Sequence, residues 1–277
     1  MTGRDEDPVS KFLTLKNDWN MDANASYVVA GRFGGIGRAI LRWMANRGAK
    51  NLIVPSTSRT SSQADKHIDS ELTRRDVRAI AKICNVASDT ALIALLQDCA
   101  VSIPSIKGCI NAAMVLQGFS APPNPIFRFP ESLFSVTVGY ETRACTNLGL
   151  DMDFVILLSS IAGIYGSPGQ SNYAAGYTFQ DALARSRSAA GYRGSVSTNL
   201  GWMRTFGIIV ETKEYQHNRQ YVGDMSRVEE ADFFALLEHY CYPLLSPLST
   251  QDSQVIIGVI RQAHVHARDE APIDVLK

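Results

Sequence analysis

Seven short runs rich in β-branched and aliphatic residues recur along this chain, most of them separated by stretches with helical spacing. That alternation is the pattern of a parallel sheet covered by helices on both faces. The runs predict strands at Tyr27–Ala30, Asn51–Val54, Val77–Cys84, Gly108–Ala113, Phe154–Ser159, Ser195–Leu200 and Gln254–Ile260. Helices are predicted over Ala39–Arg47 (closed by Gly48), Asp65–Arg74, Thr90–Val101, Glu131–Leu148, Tyr173–Ala190 and Arg227–Tyr240. In the third of these, Leu92, Leu95, Leu96 and Cys99 share one face. Phe154–Ser159 is apolar almost without a break, as a central parallel strand buried on both faces must be. Pro55–Gln63 and the proline-rich Ser120–Pro130 read as irregular, and Gly201–Met225 has no period.

The 277 residues suffice for one large α/β domain with an ample core. No repeat or second domain is visible, so the expected division is a lead-in over 1–24, one folded domain over 25–262 and a tail over 263–277. Lys and Arg (27) balance Asp and Glu (27). This excludes nucleic acid and anionic membranes as main partners, since both call for an excess of positive charge. Charged residues make up 19%, below the roughly 25% of typical soluble domains. Such a charge-poor surface suits a protein that sits against something else. No apolar run approaches the roughly 18 residues that a membrane span needs, and the N-terminus lacks the apolar core of a signal peptide. Cys84, Cys99, Cys109, Cys145 and Cys241 are scattered without a C-x-x-C pair. That spacing fits a reduced cytoplasmic protein with buried thiols, not a disulfide framework or a zinc site. His264 and His266 stand apart from any cysteine, and no metal site is expected.

Two constellations carry chemistry. Gly31-Arg32-Phe33-Gly34-Gly35-Ile36-Gly37 lies between the first predicted strand and the first helix. Glycines at that place let the backbone turn tightly and approach a pyrophosphate, whose oxygens then face the positive end of the helix. The alternative is a tight turn that binds nothing. The second constellation is Ser159-Ser160 at the end of the apolar strand, with Tyr173 on the helix that follows. A hydroxyl at the carboxyl edge of such a sheet can hold a substrate carbonyl. A tyrosine on the next helix can protonate its oxygen as a hydride reaches the carbon.

With these motifs the chain resembles the short-chain dehydrogenase/reductases, and more closely the ketoreductase domain of fungal highly reducing polyketide synthases. Tyr27–Gly31 with Gly34–Arg38 resembles the family's cofactor loop, and Gly108–Gln117 its fourth strand. Leu157–Gly163 and Gly169–Gly176 are similar to its active-site strand and helix, and Phe179–Arg185 and Asn199–Gly201 continue the likeness. The resemblance implies a single Rossmann-type α/β domain, doubly wound on a parallel sheet of about seven strands. It also implies hydride transfer from NADPH to a β-ketoacyl group on an acyl carrier protein, with neighbouring synthase domains as further partners. On that pattern Ser160 orients the carbonyl and Tyr173 donates the proton. The cofactor lies over Gly31, Arg32, Gly34, Gly35, Ile36 and Gly37, with Asn85 at the adenine and Asn111 and Ala112 at the ribose.

The sequence departs from the family in several places. The Asn expected four residues after the tyrosine is Tyr177, and the family's lysine falls at Glu141, with Arg143 two residues on. Arg32 replaces a loop glycine and Asn85 an aspartate. NADPH needs a cation for its 2′-phosphate, and Arg32 and Arg59 are the candidates. By the resemblance, Thr205–Met225 is a lid hinged at Gly207 and Gly223, and Gln117 stands where an acid linked to product stereochemistry is frequent. Two other readings stay open: a catalytically impaired remnant, favoured by Glu141 and Tyr177, and a free-standing reductase of a small carbonyl compound.

Overall fold

The computed structural model describes residues 19–31, 35–56, 63–84, 89–112, 152–166, 171–203, 205 and 227–259. Six strands of the main sheet are β1 (Ser26–Ala30), β2 (Asn51–Ser56), β3 (Arg78–Ile83), β4 (Ile106–Asn111), β5 (Phe154–Ser160) and β6 (Ser195–Leu200). A short parallel pair, β7 (Trp202–Met203) and β8 (Arg227–Val228), follows, and β9 (Gln254–Ile257) completes the sheet. The seven strands run in the order β3-β2-β1-β4-β5-β6-β9, and every pairing is parallel. The helices are α1 (Gly35–Asn46), α2 (Gln63–Arg74), α3 (Asp89–Ser102), α4 (Ala162–Tyr165), α5 (Ser171–Ala189) and α6 (Glu230–Tyr240). This is the parallel sheet with helices on both faces that the alternating pattern predicts, in the doubly wound Rossmann-type arrangement that the resemblance implies.

Strand alternation sorts the core into two layers. Tyr27, Val29, Phe154, Ile156 and Leu158 face a cluster with Ile40 and Leu41 of α1, Ile68 of α2 and Phe233 and Leu237 of α6. Val28, Ala30, Val155 and Leu157 face the opposite cluster with Leu95 and Cys99 of α3 and Leu183 and Ala184 of α5. Both faces of β1 and β5 are therefore covered, which is why these strands read as continuous apolar runs. Cys84, Cys99, Cys109 and Cys241 are buried free thiols, as expected; Cys145 lies outside the described residues.

The structure corrects several boundaries. Helix α1 begins at Gly35 rather than Ala39. Strand β2 runs through Pro55 to Ser56. Pairing with β1 ends at Ile53, so the missing N–H of Pro55 breaks no bond on that side. Arg227 and Val228 are strand, not helix, because they pair with Trp202 and Met203. β4 spans Ile106–Asn111 rather than Gly108–Ala113, and β9 stops at Ile257 rather than Ile260. The short helix α4 had no counterpart in the sequence pattern. The helix predicted over Glu131–Leu148 lies outside the described residues. No helix among the described residues is long and apolar enough to cross a membrane.

Candidate active site

The strand order reverses direction between β1 and β4, and ligands of open α/β sheets bind at the carboxyl edge of such a switch point. Ala30 pairs with Asn111, and Asn111 with Leu157. β5 then continues three residues further, so Ser160 stands about 10 Å beyond Asn111 along the strand direction.

Gly31 follows β1 with φ 88°. That left-handed conformation is open to glycine and strained for residues with a Cβ. The positive end of α1 begins at Gly35, where Gly35 and Gly37 are buried and Ile36 packs on the core. A glycine turn at the switch point, feeding a helix N-terminus, fits the pyrophosphate of a dinucleotide. The Ala112 N–H donates to the Ala30 carbonyl at 2.9 Å, which ties the chain leaving β4 to the end of β1. Asn111 is buried beside it. Arg32, Gly34, Arg59 and Asn85 lie outside the described residues, as do Gln117, Glu141, Arg143 and, apart from Thr205, the segment up to Met225.

Ser160 is the last residue of β5, half-buried, and its Oγ accepts from the Ala162 N–H at 3.2 Å. Accepting there leaves its own proton to donate outward. Tyr173 is the third residue of α5, the helix packed against β5 and β6. The structure thus brings both predicted catalytic residues to one edge on adjoining elements. One turn after Tyr173, Tyr177 is buried, with its Cβ close to where a Cβ on Gly163 would lie (2.9 Å). Thr178 Oγ1 donates to the carbonyls of Gly163 and Ala174, both at 3.0 Å, which holds α4 to α5. Ile164 and Tyr165 of α4 are exposed beside Ser160.

Beneath the edge lies a polar cluster that the sequence did not single out as functional. Ser195, Ser197 and Asn199 alternate along β6 and face α5. The Asn199 amide nitrogen reaches Asp181 Oδ2 at 2.9 Å, Ser159 Oγ at 3.1 Å and the Ser160 carbonyl at 3.2 Å. Asn199 Oδ1 accepts from Gln254 Nε2 at 3.1 Å, and Gln254 Oε1 in turn accepts from Arg185. Asp181 Oδ1 accepts from the Ser197 hydroxyl. The signal was present as a polar alternation on a strand flanked on both sides, since such groups must find polar partners on the covering helix. Among the described residues no group of three His, Cys, Asp or Glu could hold a metal.

Fold and site define the class: a doubly wound dinucleotide-type domain with a serine and a tyrosine at its switch-point edge. The KR domain family matches residues 25–205, and the chain belongs to that family. It is 39% identical over 270 residues to "Highly reducing polyketide synthase 2" of Gibberella zeae, covering 96% of this chain and 10% of that protein. It is 40% identical over 249 residues to "Highly reducing polyketide synthase 40" of Fusarium mangiferae, covering 88% of this chain and 10% of that protein. This chain therefore spans about a tenth of the length of these curated relatives. Among solved structures, "Structure of A-type Ketoreductases from Modular Polyketide Synthase" superposes with a TM-score of 0.68 at 25% identity. The match covers 86% of this chain and 48% of that one.

Proposed function

We propose that this chain reduces a β-ketoacyl thioester, carried on an acyl carrier protein, to the β-hydroxyacyl form, with NADPH as reductant. The observation that carries the reading is the placement of Ser160 at the end of β5 and Tyr173 in the first turn of α5, at the same carboxyl edge of the sheet as Gly31 after β1. When bound, the cofactor supplies the hydride. Gly31, Gly35, Ile36 and Gly37 hold its pyrophosphate, together with Arg32 and Gly34. Asn111 and Ala112 border the ribose, and Asn85 the adenine. Arg32 and Arg59 answer the 2′-phosphate, which favours NADPH over NADH. Ser160 donates its hydroxyl proton as a hydrogen bond to the substrate carbonyl. Tyr173 transfers its phenolic proton to that oxygen as charge builds on it.

The likeness to highly reducing polyketide synthases supports a polyketide intermediate as substrate. Since those relatives are far longer, the carrier protein and neighbouring catalytic domains complete the assembly. The reductase unit is taken as 25–262, because β9 beyond the family match closes the sheet. The compartment proposed with it is the cytoplasm, a reading that the free thiols of Cys84, Cys99, Cys109 and Cys241 support.

The test is NADPH oxidation with a β-ketoacyl thioester, alongside an NADPH binding titration. Turnover that falls about 10²–10⁴-fold in Tyr173→Phe supports the reading. A second reading, a remnant that binds cofactor without turning over, draws on the buried Tyr177 at the family's Asn position. Binding without turnover establishes that one, and turnover with free small ketones alone points to a free-standing reductase.

A further inference from the structure

The reductase reading leaves Asp181 and Asn199 without a part, yet both are buried, at 3% and 0% exposure. Burying such groups is unfavourable unless every polar atom is matched, and here the matching is directional. The Ser160 carbonyl can only accept, so it fixes which end of the Asn199 amide carries the nitrogen, and Asp181 Oδ2 accepts from that same nitrogen. Two N–H groups serve three acceptors at 2.9, 3.1 and 3.2 Å, so one is shared.

We propose that Asn199 and Asp181 are positioning residues that set Ser160 and Tyr173 relative to each other. The inference rests on the roles given to that pair above. Ser160 is held directly, through its own carbonyl on the Asn199 amide. Tyr173 is held through its helix: Asp181 lies eight residues further along α5 and fastens it to Asn199, roughly 12 Å from Tyr173 along the axis. The apolar contacts of Leu183 and Ala184 with this face are non-directional and tolerate sliding. A carboxylate–amide bond does not, because its strength falls steeply with distance and angle. Gln254 and Arg185 brace Asn199 from β9 and α5, so the hub is referenced to three elements. Both reacting groups take their position from one side chain.

The test compares three variants of the full chain. Asp181→Leu removes the bond to Asn199. Asp181→Asn keeps an oxygen that can accept it. Ser195→Ala removes a different buried bond of the same helix–strand interface, that from Arg187 Nε at 3.1 Å, at the far end of β6. Amide exchange of the cofactor-free protein is read over residues 159–163 and 171–178, with kcat and KM on a β-ketoacyl thioester. Asp181→Leu is expected to raise exchange in both stretches by about tenfold. It should lower kcat by about ten- to a hundredfold, with KM within about twofold. Asp181→Asn should restore both readouts, and Ser195→Ala should lower the melting temperature with both unchanged. If Asp181→Leu does not fold, Asp181→Ser, whose side chain stops short of Asn199, answers the same question. The proposal is overturned if exchange at 159–163 stays at the wild-type level, or if Ser195→Ala raises exchange over the same stretches equally. A wild type without turnover would defeat the reductase reading, while the exchange measurement still decides the positioning.

Discussion

Phe154 occupies the space that any side chain at position 108 would need: a Cβ on Gly108 would lie 2.2 Å from Phe154 Cζ. The register sets Tyr27, Gly108 and Phe154 on one rung across β1, β4 and β5. The Phe154 ring passes over the bare glycine to stack on Tyr27, with centroids 5.9 Å apart and planes 7° from parallel. Cross-strand aromatic pairs of this kind stabilise a sheet beyond their buried area.

Gly108→Ala should therefore destabilise the fold by about 1–3 kcal/mol through overpacking. Calorimetry should record a melting temperature lower by several degrees, partly recovered in Gly108→Ala/Phe154→Leu. An unchanged melting temperature would mean that the strands can part without cost.

Alkaline pH should unfold the protein earlier than its core alone suggests. Burial pushes the Tyr27 phenol from 10.0 to about 12, partly offset by the Asp22 N–H that donates to its oxygen at 2.9 Å. Burial raises Tyr240 to about 12 as well, and the Cys241 thiol shifts upward for the same reason. The unfolded phenols lose their protons near 10 and the folded ones only near about 12, so the unfolded state binds fewer protons between these values. Stability is full below about pH 10 and falls as pH rises toward about 12, by up to about 3 kcal/mol per tyrosine. Urea denaturation across that range measures the slope, and Tyr240→Phe should make it shallower.

Arg47 ties the start of the described chain to two helices. Its Nη1 donates to the Trp19 carbonyl at 3.0 Å, its guanidinium lies 5.4 Å from the Trp19 ring centroid, and its Nη2 pairs with Glu238. Arg47→Ala should cost about 1–2 kcal/mol, and limited proteolysis should cut near Trp19 more readily. Equal proteolysis of variant and wild type would show that the Met21 N–H to Arg47 carbonyl bond (2.7 Å) suffices.

Gly163→Ala addresses the site. Its methyl would stand 2.9 Å from Tyr177 Cβ and 3.2 Å from the Thr178 nitrogen, so α4 must move off α5. The carbonyl at 163 that accepts from Thr178 would move with it. On the proposed reductase reading, turnover should fall about tenfold with cofactor affinity unchanged, since small displacements of reacting groups are expensive. A parallel loss of cofactor affinity would place the damage elsewhere.

Much of this was legible in the sequence, for identifiable reasons. Strands such as Phe154–Ser160 announce themselves because both faces are buried, so composition alone marks them. The positions of Gly31 after β1, Ser160 at the end of β5 and Tyr173 near the start of α5 were legible because each sits at an element boundary. Arg227 and Val228 were misread as helix because their partners, Trp202 and Met203, lie far back in the chain and no local pattern reveals the pairing. Helix α4 escaped because four residues are too few to show a period. Asn199 and Asp181 were visible as residues but not as partners, since nothing in one strand's alternation says which helical position answers it.

The pairing of Trp202 with Arg227 and of Met203 with Val228 sets the two ends of residues 204–226 side by side, and the Arg227 guanidinium lies 5.6 Å from the Trp202 ring centroid. Once its ends are fastened, a stretch of chain can be lengthened or exchanged cheaply, at about 0.6 kcal/mol for each doubling of its length. What the described residues fix is therefore only where the chain leaves and rejoins, at Met203 and Arg227, and that anchor lies apart from the seven-stranded sheet.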